Sequence, residues 1–536
     1  MPAARPHLGR VPLAVLLVAF AAALLHLAPL WRAQATVEPG WEFTGNLATS
    51  PDAMQYRVWQ RRSEFTGPLT DNRFTTEPHQ PYLPVGLYWF VGALARGLGV
   101  APEFVYEWLG APLAAALVLL VFLCARRFLA ATTAQWWVFF ATLCGGGLGA
   151  HQILAAEHKL FGAQLTEWLS ARLTSAPVWD QYRSHYVCKV LFDTHFLVAW
   201  VFTVAAVLAF RAALAKPSAL RLGALALSST AVTLLHPYEG PLLLLIHAVT
   251  WALVRWRGVA APGMRPALLA GSGATALMLA ALFALQQRAG LPLPEWRPVP
   301  VSWINVLLAY PLVALVAPFG LRALWRRATL DELFLLGWAG GCLAMTLSSA
   351  IYPYAARGPT TAQIPLFLLT GAMYFAARSS VPWKHALLAL VLLGVSAPRD
   401  VLFRMRAATF DRKRPAMFRS DEQRAVVAAL VAAADANAVL LAQAREYRWL
   451  APEFPGLSYH AHFFLTVEFE RKRAEVDAFY ASGDLDEQAR LLDAWGIDFL
   501  HAPRSAAPER FARLPGWREL ARADGGVLFQ REVRGG

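Results

Sequence analysis

The 536-residue chain is poor in charge and nearly without cysteine. Only 16% of its residues are Asp, Glu, Lys or Arg, whereas 57% are hydrophobic. That balance excludes a water-soluble globule, and repeated apolar runs of about 20 residues mark a multi-pass membrane protein. Four cysteines, Cys124, Cys144, Cys188 and Cys342, lie in or beside apolar runs without a CxxC pair, which argues against a disulfide framework or a zinc site. The chain also lacks a P-loop, a GxGxxG after a strand, an HExxH and a GxSxG. Nucleotide, dinucleotide, zinc-protease and serine-hydrolase chemistries lose their signatures with them. No internal repeat or long disordered tract is evident. His151 and His158 form only a weak metal pair, seven residues apart and without cysteine nearby.

What the chain does have is an excess of positive charge, formally +13. Outside the last ~140 residues most basic side chains cluster at the ends of apolar runs, which is the positive-inside pattern of membrane topology. The charge therefore serves orientation, and no nucleic-acid partner is expected. The 20 Trp and 14 Tyr suit interfacial belts for the same reason.

Residues 11–31, preceded by Arg5 and Arg10, are long enough to span and place the N-terminus in the cytoplasm. Ala33-Gln34-Ala35 resembles a signal-peptidase site, but the apolar run is long for a signal peptide, so an uncleaved helix is favoured. Residues 81–100 are ambiguous, being short, led by prolines and closed by Arg96 and two glycines. A span here would put Arg126 and Arg127 outside; a helix lying in the interface keeps them inside and satisfies the charge rule downstream. The remaining spans then alternate: 107–123, 136–151, 196–214, 222–235, 241–254, 267–285, 304–319, 333–350, 364–377 and 385–397. With residues 11–31 that makes about eleven. Long outer segments are expected at 152–194 and 291–300.

From residue 398 the composition becomes that of a soluble domain. Ser420 before Asp421 and Glu422 caps a helix to about Ala434. Strand-like runs at 438–441, 497–500 and 527–533 alternate with helical runs at 468–480 and 485–495. The expected architecture is an all-α polytopic membrane bundle over residues 1–397, with a first outer loop at 33–106, and a small α/β extracytoplasmic domain over 398–536.

This topology sorts the reactive residues. Asp52, Glu77, His79, Asp193, His195, His236, Glu239 and Arg357 all fall at outer ends or in outer loops, while inner turns carry Arg and Lys, with Asp331 and Glu332 the acidic exception. Ionisable groups at mid-membrane cost about 2.5–3.5 kcal/mol on insertion scales, so a site is expected on the outer face. Asp52 is either a solvated residue at a helix start or a general base above the membrane. Glu77 and His79 flank Pro78, forming a rigid turn or a polar pair for sugar or phosphate. Asp193 and His195 read as a helix cap with an interfacial imidazole, or as ligands. The turn His236-Pro237-Tyr238-Glu239-Gly240 carries more functional groups than a turn requires. Arg357 breaks the charge rule, which calls for an anionic partner: a carboxylate, a headgroup or a lipid-linked phosphate.

With these residues in place the chain resembles the GT-C glycosyltransferases, multi-pass enzymes that draw a sugar from a polyprenyl-phosphate donor, and more closely a bacterial branch of them. The resemblance runs over most of the length. It rests on the first apolar helix, Asp52 with Tyr56 and Trp59, the run RFTTEPHQPYLPVGLYWFVGALARGLG, the HPYEG turn, the Arg357 loop, and LSYHAHFFLTVEFERKRAEVDAFY and GIDFLHAP near the C-terminus. It implies two helices along the membrane in the first outer loop, Asp52 as catalytic base, and donor-phosphate binding at Arg357 with His236 or His79. It implies donor or acceptor contacts around Tyr56, Glu77, Asp193, His195, Tyr238 and Glu239. Paired acids are common in that loop, yet Asp52 has no acidic neighbour before Glu64; no cofactor is fixed, and a divalent metal ion stays open. The implied partners are a polyprenyl-phosphate-linked sugar, a glycan, lipid or protein acceptor, and membrane lipids, in the bacterial inner membrane. A transporter would need mid-membrane ionisable pairs and inverted repeats, neither of which is seen. A GT-C-like scaffold or receptor without catalysis is the other alternative.

Overall fold

Five helices are long and apolar enough to cross a membrane among the residues that the computed structural model describes, which are 11–47, 51–62, 67–144, 190–291, 321–322, 324–348, 351–352, 362–377 and 396–532. They are Leu13–Ala35, Pro102–Phe128, Thr194–Ala215, Met264–Ala289 and Leu330–Leu347. At about 1.5 Å per residue even the 18-residue helix Leu330–Leu347 nearly matches the ~30 Å hydrocarbon core. The helices Ala219–Leu235, Glu239–Trp256 and Gln363–Ala377 fall where further spans were expected. The expected span 304–319, residues 385–395 of the last expected span, the segments 152–189 and 292–300, and the loop with Arg357 lie outside the described residues; residues 396–397 begin the helix Ser396–Ala407.

The chain divides into two compact units. The first comprises Met1–Ala28, Trp108–Ala281 and Arg297–Arg406. Its apolar helices pack around one core that includes Leu117, Phe139, Leu197, Phe210, Leu243, Phe334 and Trp338. The acidic exception Asp331 has a reason here. Its Oδ1 pairs with Arg211, which is buried, and lies 3.1 Å from Arg127. Paired in this way, the carboxylate neutralises a buried guanidinium. Beside it, Thr329 and Glu332 close a capping box on the helix Leu330–Leu347, satisfying two of its free N-terminal amides.

The second unit joins Pro29–Glu107 and Leu282–Trp296 to Ala407–Gly536. Residues 29–107 and the C-terminal residues therefore build one body, which no local pattern in either stretch announces. Strand β1 (Trp41–Phe43) pairs antiparallel with β4 (Phe418–Ser420), setting Trp41 opposite Ser420. Thr44 Oγ1 donates to the Ala416 carbonyl at 2.9 Å, and Trp41, Phe43, Phe410 and Phe418 pack together. A short hairpin of β2 (Leu69–Thr70) and β3 (Leu83–Pro84) follows.

The C-terminal sheet has five strands in the order β6 (Leu457–Ser458), β5 (Val439–Leu441), β7 (Phe499–Pro503), β9 (Gly526–Arg531), β8 (Trp517–Ala523). Neighbours β6, β5 and β7 run parallel; β9 runs antiparallel to β7 and β8. All five residues of β7 are buried, as its central place requires. Ser420 caps Asp421–Ala433 with Gln423 as reciprocal partner, as its sequence pattern predicts.

Two helices of the first outer loop complete this unit, Pro51–Arg61 and Gly86–Leu98. The second has 13 residues and so is about 20 Å long, too short to cross ~30 Å of hydrocarbon. Tyr88, Val91 and Ala95 are buried, whereas Phe90, Leu94 and Leu98, four residues apart along one face, are exposed. Gly99 ends it in the left-handed conformation at φ 65°, where glycine carries no Cβ penalty.

Candidate active site

The helix Pro51–Arg61 begins as such helices do. Pro51 has no N–H to leave unpaired, and Asp52 places a carboxylate in the first turn, where the helix dipole favours it. Met54 and Val58 are buried against Phe74, Leu450 and the sheet. The Tyr56 ring stacks on Tyr88 at 4.9 Å and 12°, with Trp59 at 5.2 Å from the same ring. Tyr56 therefore joins the two helices of the loop. This packing fixes the helix and leaves the Asp52 side chain 46% exposed.

Asp52 has a partner that inspection of its neighbourhood in sequence misses. His462 Nε2 lies 3.5 Å from Asp52 Oδ1, and the imidazole is 1% exposed. The Phe464 backbone N–H donates to His462 Nδ1 at 3.2 Å. Nδ1 is thus the acceptor, and the ring proton sits on Nε2, toward the carboxylate. The only sequence signal was indirect, because His462 lies inside the run LSYHAHFFLTVEF that carried the family resemblance.

The loop holding His462 is stitched to the segment 72–77. Ser458 N donates to the Arg73 carbonyl at 2.9 Å, and Asn72 Nδ2 to the Leu465 carbonyl at 2.6 Å. Thr466 Oγ1 donates to the Phe74 carbonyl at 2.7 Å while accepting from Ala461 N and His462 N. Each buried backbone group met here has a partner, which is what holds a loop rigid.

Glu77 and His79 do their visible work in this seam. His79 Nδ1 faces the Glu77 carbonyl at 2.7 Å and its Nε2 accepts from Asn72 N at 2.7 Å. Both ring nitrogens hold the turn. Glu77 Oε1 lies 2.6 Å from Nζ of Lys472, which is 2% exposed, and Thr75 donates to Oε2. Burial pushes the Glu77 carboxyl up, but the bonds from Lys472 and Thr75 outweigh it and hold its pKa below the usual range. A depressed folded pKa adds stability above the unfolded value of about 4.3, lost as pH falls through the folded value. Thermal melts should therefore show Glu77→Gln less stable than wild type at neutral pH, with the two converging in acid below that range.

A second polar cluster belongs to the other unit. Asp193 is the N-cap of Thr194–Ala215, accepting from His195 N at 3.2 Å. The rings of His195 and His236 are 4.9 Å apart, and Tyr238 meets His236 edge-on at 5.2 Å. His236 Nδ1 lies 3.6 Å from Glu239 Oε1, both side chains being buried. The HPYEG turn thus brings four of the expected residues together. Arg357 lies outside the described residues.

Among the described residues no three His, Cys, Asp or Glu side chains converge as a metal-holding group.

Comparison with known proteins finds likeness in structure alone: neither a protein-family model nor any curated sequence matches the chain. The apo structure of ArnT from Cupriavidus metallidurans superposes with a TM-score of 0.52 at 11% identity, covering 96% of this chain and 97% of that one. The Archaeoglobus fulgidus oligosaccharyltransferase AglB, in complex with an inhibitory peptide and a dolichol-phosphate, gives a TM-score of 0.46 at 13% identity, over 93% of this chain and 70% of that one. The apo A. fulgidus enzyme gives 0.43 at 12%, with the same coverage. The ArnT likeness, over nearly the whole of both chains, shows that this chain has the GT-C fold.

Proposed function

We propose that the chain is a membrane glycosyltransferase that moves a sugar from a polyprenyl-phosphate donor to an extracytoplasmic acceptor, with inversion and with Asp52 as the base. The observation that carries this reading is a half-exposed carboxylate, one oxygen of which faces the proton of a buried imidazole. In this reading His462 stands beside Oδ1, and Oδ2 receives the acceptor hydroxyl. As that hydroxyl's oxygen attacks the anomeric carbon, its proton passes to Asp52. The bond from that carbon to the phosphate oxygen breaks on the opposite face, and the lipid phosphate leaves with the electron pair. The transition state has oxocarbenium character, as in glycoside hydrolysis. The phosphate is a good leaving group and needs charge stabilisation more than a proton, so one base suffices. Arg357, with His236, is assigned to the donor phosphate, and Glu77, His79, Asp193, His195, Tyr238 and Glu239 remain candidates for substrate contact. The N-terminus is placed in the cytoplasm of a bacterial inner membrane, and the unit bearing Asp52 outside it.

Membranes containing the overexpressed protein should transfer radiolabelled sugar from polyprenyl-phosphate sugars to endogenous acceptor; equal labelling in membranes lacking the protein would sink the proposal. His462 is a positioning residue in this scheme. His462→Ala is expected to lower kcat about tenfold or more with little change in the acceptor KM. His462→Gln keeps an N–H donor and should recover most of the rate; a fall in KM and kcat alike in both variants would assign His462 to the fold alone.

A further inference from the structure

A cavity of about 490 Å³ opens in the unit that holds Asp52, walled by Asn72, Tyr82, Gln286 and residues 463–471 among others. Its size falls among small-ligand sites of about 300–1,000 Å³. The wall and the Asp52–His462 pair share one stretch of chain. Phe463 stacks on the His462 ring at 5.0 Å and is 43% exposed, and the next residue supplies the amide that fixes the imidazole proton.

The wall's chemistry discriminates between the two substrates of a transfer. The half-exposed ring of Phe463 and the amide of Gln286 suit a neutral, hydroxyl-rich ligand, whose C–H faces pack on a ring and whose hydroxyls meet a planar donor and acceptor. A phosphate is disfavoured. Arg471, the one cation among the described lining residues, is held by Glu468 and by Glu475 at 2.6 Å, while Glu468 and Glu470 add negative charge. Glu468 also sits in the left-handed region at φ 54° and ψ 44°, backbone strain of the kind that gathers at ligand clamps.

We propose that this cavity binds the acceptor, and that the acceptor's recognised part is the uncharged end of a glycan. The inference rests on reading Asp52–His462 as the transfer site, and its test is kept separate by measuring binding. Full-length protein in lipid nanodiscs is applied to glycan and peptide arrays, then titrated with fluorescent maltotriose, chitotriose and mannotriose and with polyprenyl phosphate. A neutral glycan should bind saturably, and Phe463→Ala and Gln286→Ala should each weaken it about tenfold. The cavity assignment is overturned if no glycan binds, if only peptides bind, or if the glycan's affinity is the same in both cavity variants. It is also overturned if those variants weaken polyprenyl phosphate instead. Glycan binding that depends on the cavity, in a protein that transfers no sugar, would leave this inference standing and remove the proposed reaction.

Discussion

Asp52→Asn is expected to fold as the wild type does and to lose sugar transfer by about 10²- to 10⁴-fold, the range that a positioned general base supplies. The substitution keeps the shape of the side chain and leaves it beside His462 Nε2, which lies 3.5 Å from Asp52 Oδ1. Its other terminal atom becomes an amide that cannot take a proton. The loss should therefore appear in kcat, with the acceptor KM nearly unchanged. The side chain is 46% exposed, so the neutral amide leaves no buried charge stranded, and the melting temperature should move little. Radiolabelled transfer in nanodiscs with the purified variant measures the effect. Full activity in a normally folded Asp52→Asn protein removes Asp52 from the reaction.

Arg57→Ala should produce the largest fall in stability. Arg57 is 2% exposed, and its Nε donates to Glu103 Oε1 at 2.9 Å. Arg61 Nε reaches the same oxygen at 2.8 Å, and Arg61 Nη1 lies 2.5 Å from Glu453 Oε2. Arg419 Nη2 adds a contact to Glu453 at 3.2 Å. Three guanidiniums thus share two carboxylates in a poorly solvated cluster linking residues 57–103 to 419–453. Burial lowers the Arg57 pKa despite its acidic partners, a sign of how little water reaches it. Removing Arg57 takes from the buried Glu103 carboxylate one of its two guanidinium partners, and breaking a buried pair costs about 3–5 kcal/mol. Replacing a pair together, Arg57→Met with Glu103→Leu, should cost less than the single change. Thermal unfolding in detergent compares the two; a double variant as unstable as the sum of its singles would show that the charges act independently.

The membrane part of the fold was legible because the bilayer imposes it. Arg126 and Arg127 decided that residues 81–100 do not span, and the helix there, Gly86–Leu98, is indeed too short to do so. Ser420 and Gln423 announced their helix through local capping chemistry, and β5, β7 and β9 through short apolar runs. What stayed hidden was long-range. Asp52 read as a solitary acid because the nearest carboxylate in sequence was distant, whereas its partner is an imidazole 410 positions later in the chain. Pairings such as Trp41 with Ser420 follow from tertiary packing, and no period in a single stretch encodes them. Glu77 and His79 were recognisable as unusual, but only their partners reveal that each holds the seam.

The strand pair β1–β4 also sets a timetable. The Thr44–Ala416 hydrogen bond joins residues 372 positions apart. At about 5–20 residues per second of synthesis, the first half of this seam waits on the order of 20–70 s for the second. Until then Met54, Val58 and Phe74 lack the Leu450 and Phe499 side chains they finally pack beside, and Asp52 has no His462. The nascent chain thus carries an unfinished apolar surface until these later residues are made, and the Asp52–His462 pair forms only once residue 462 has been added.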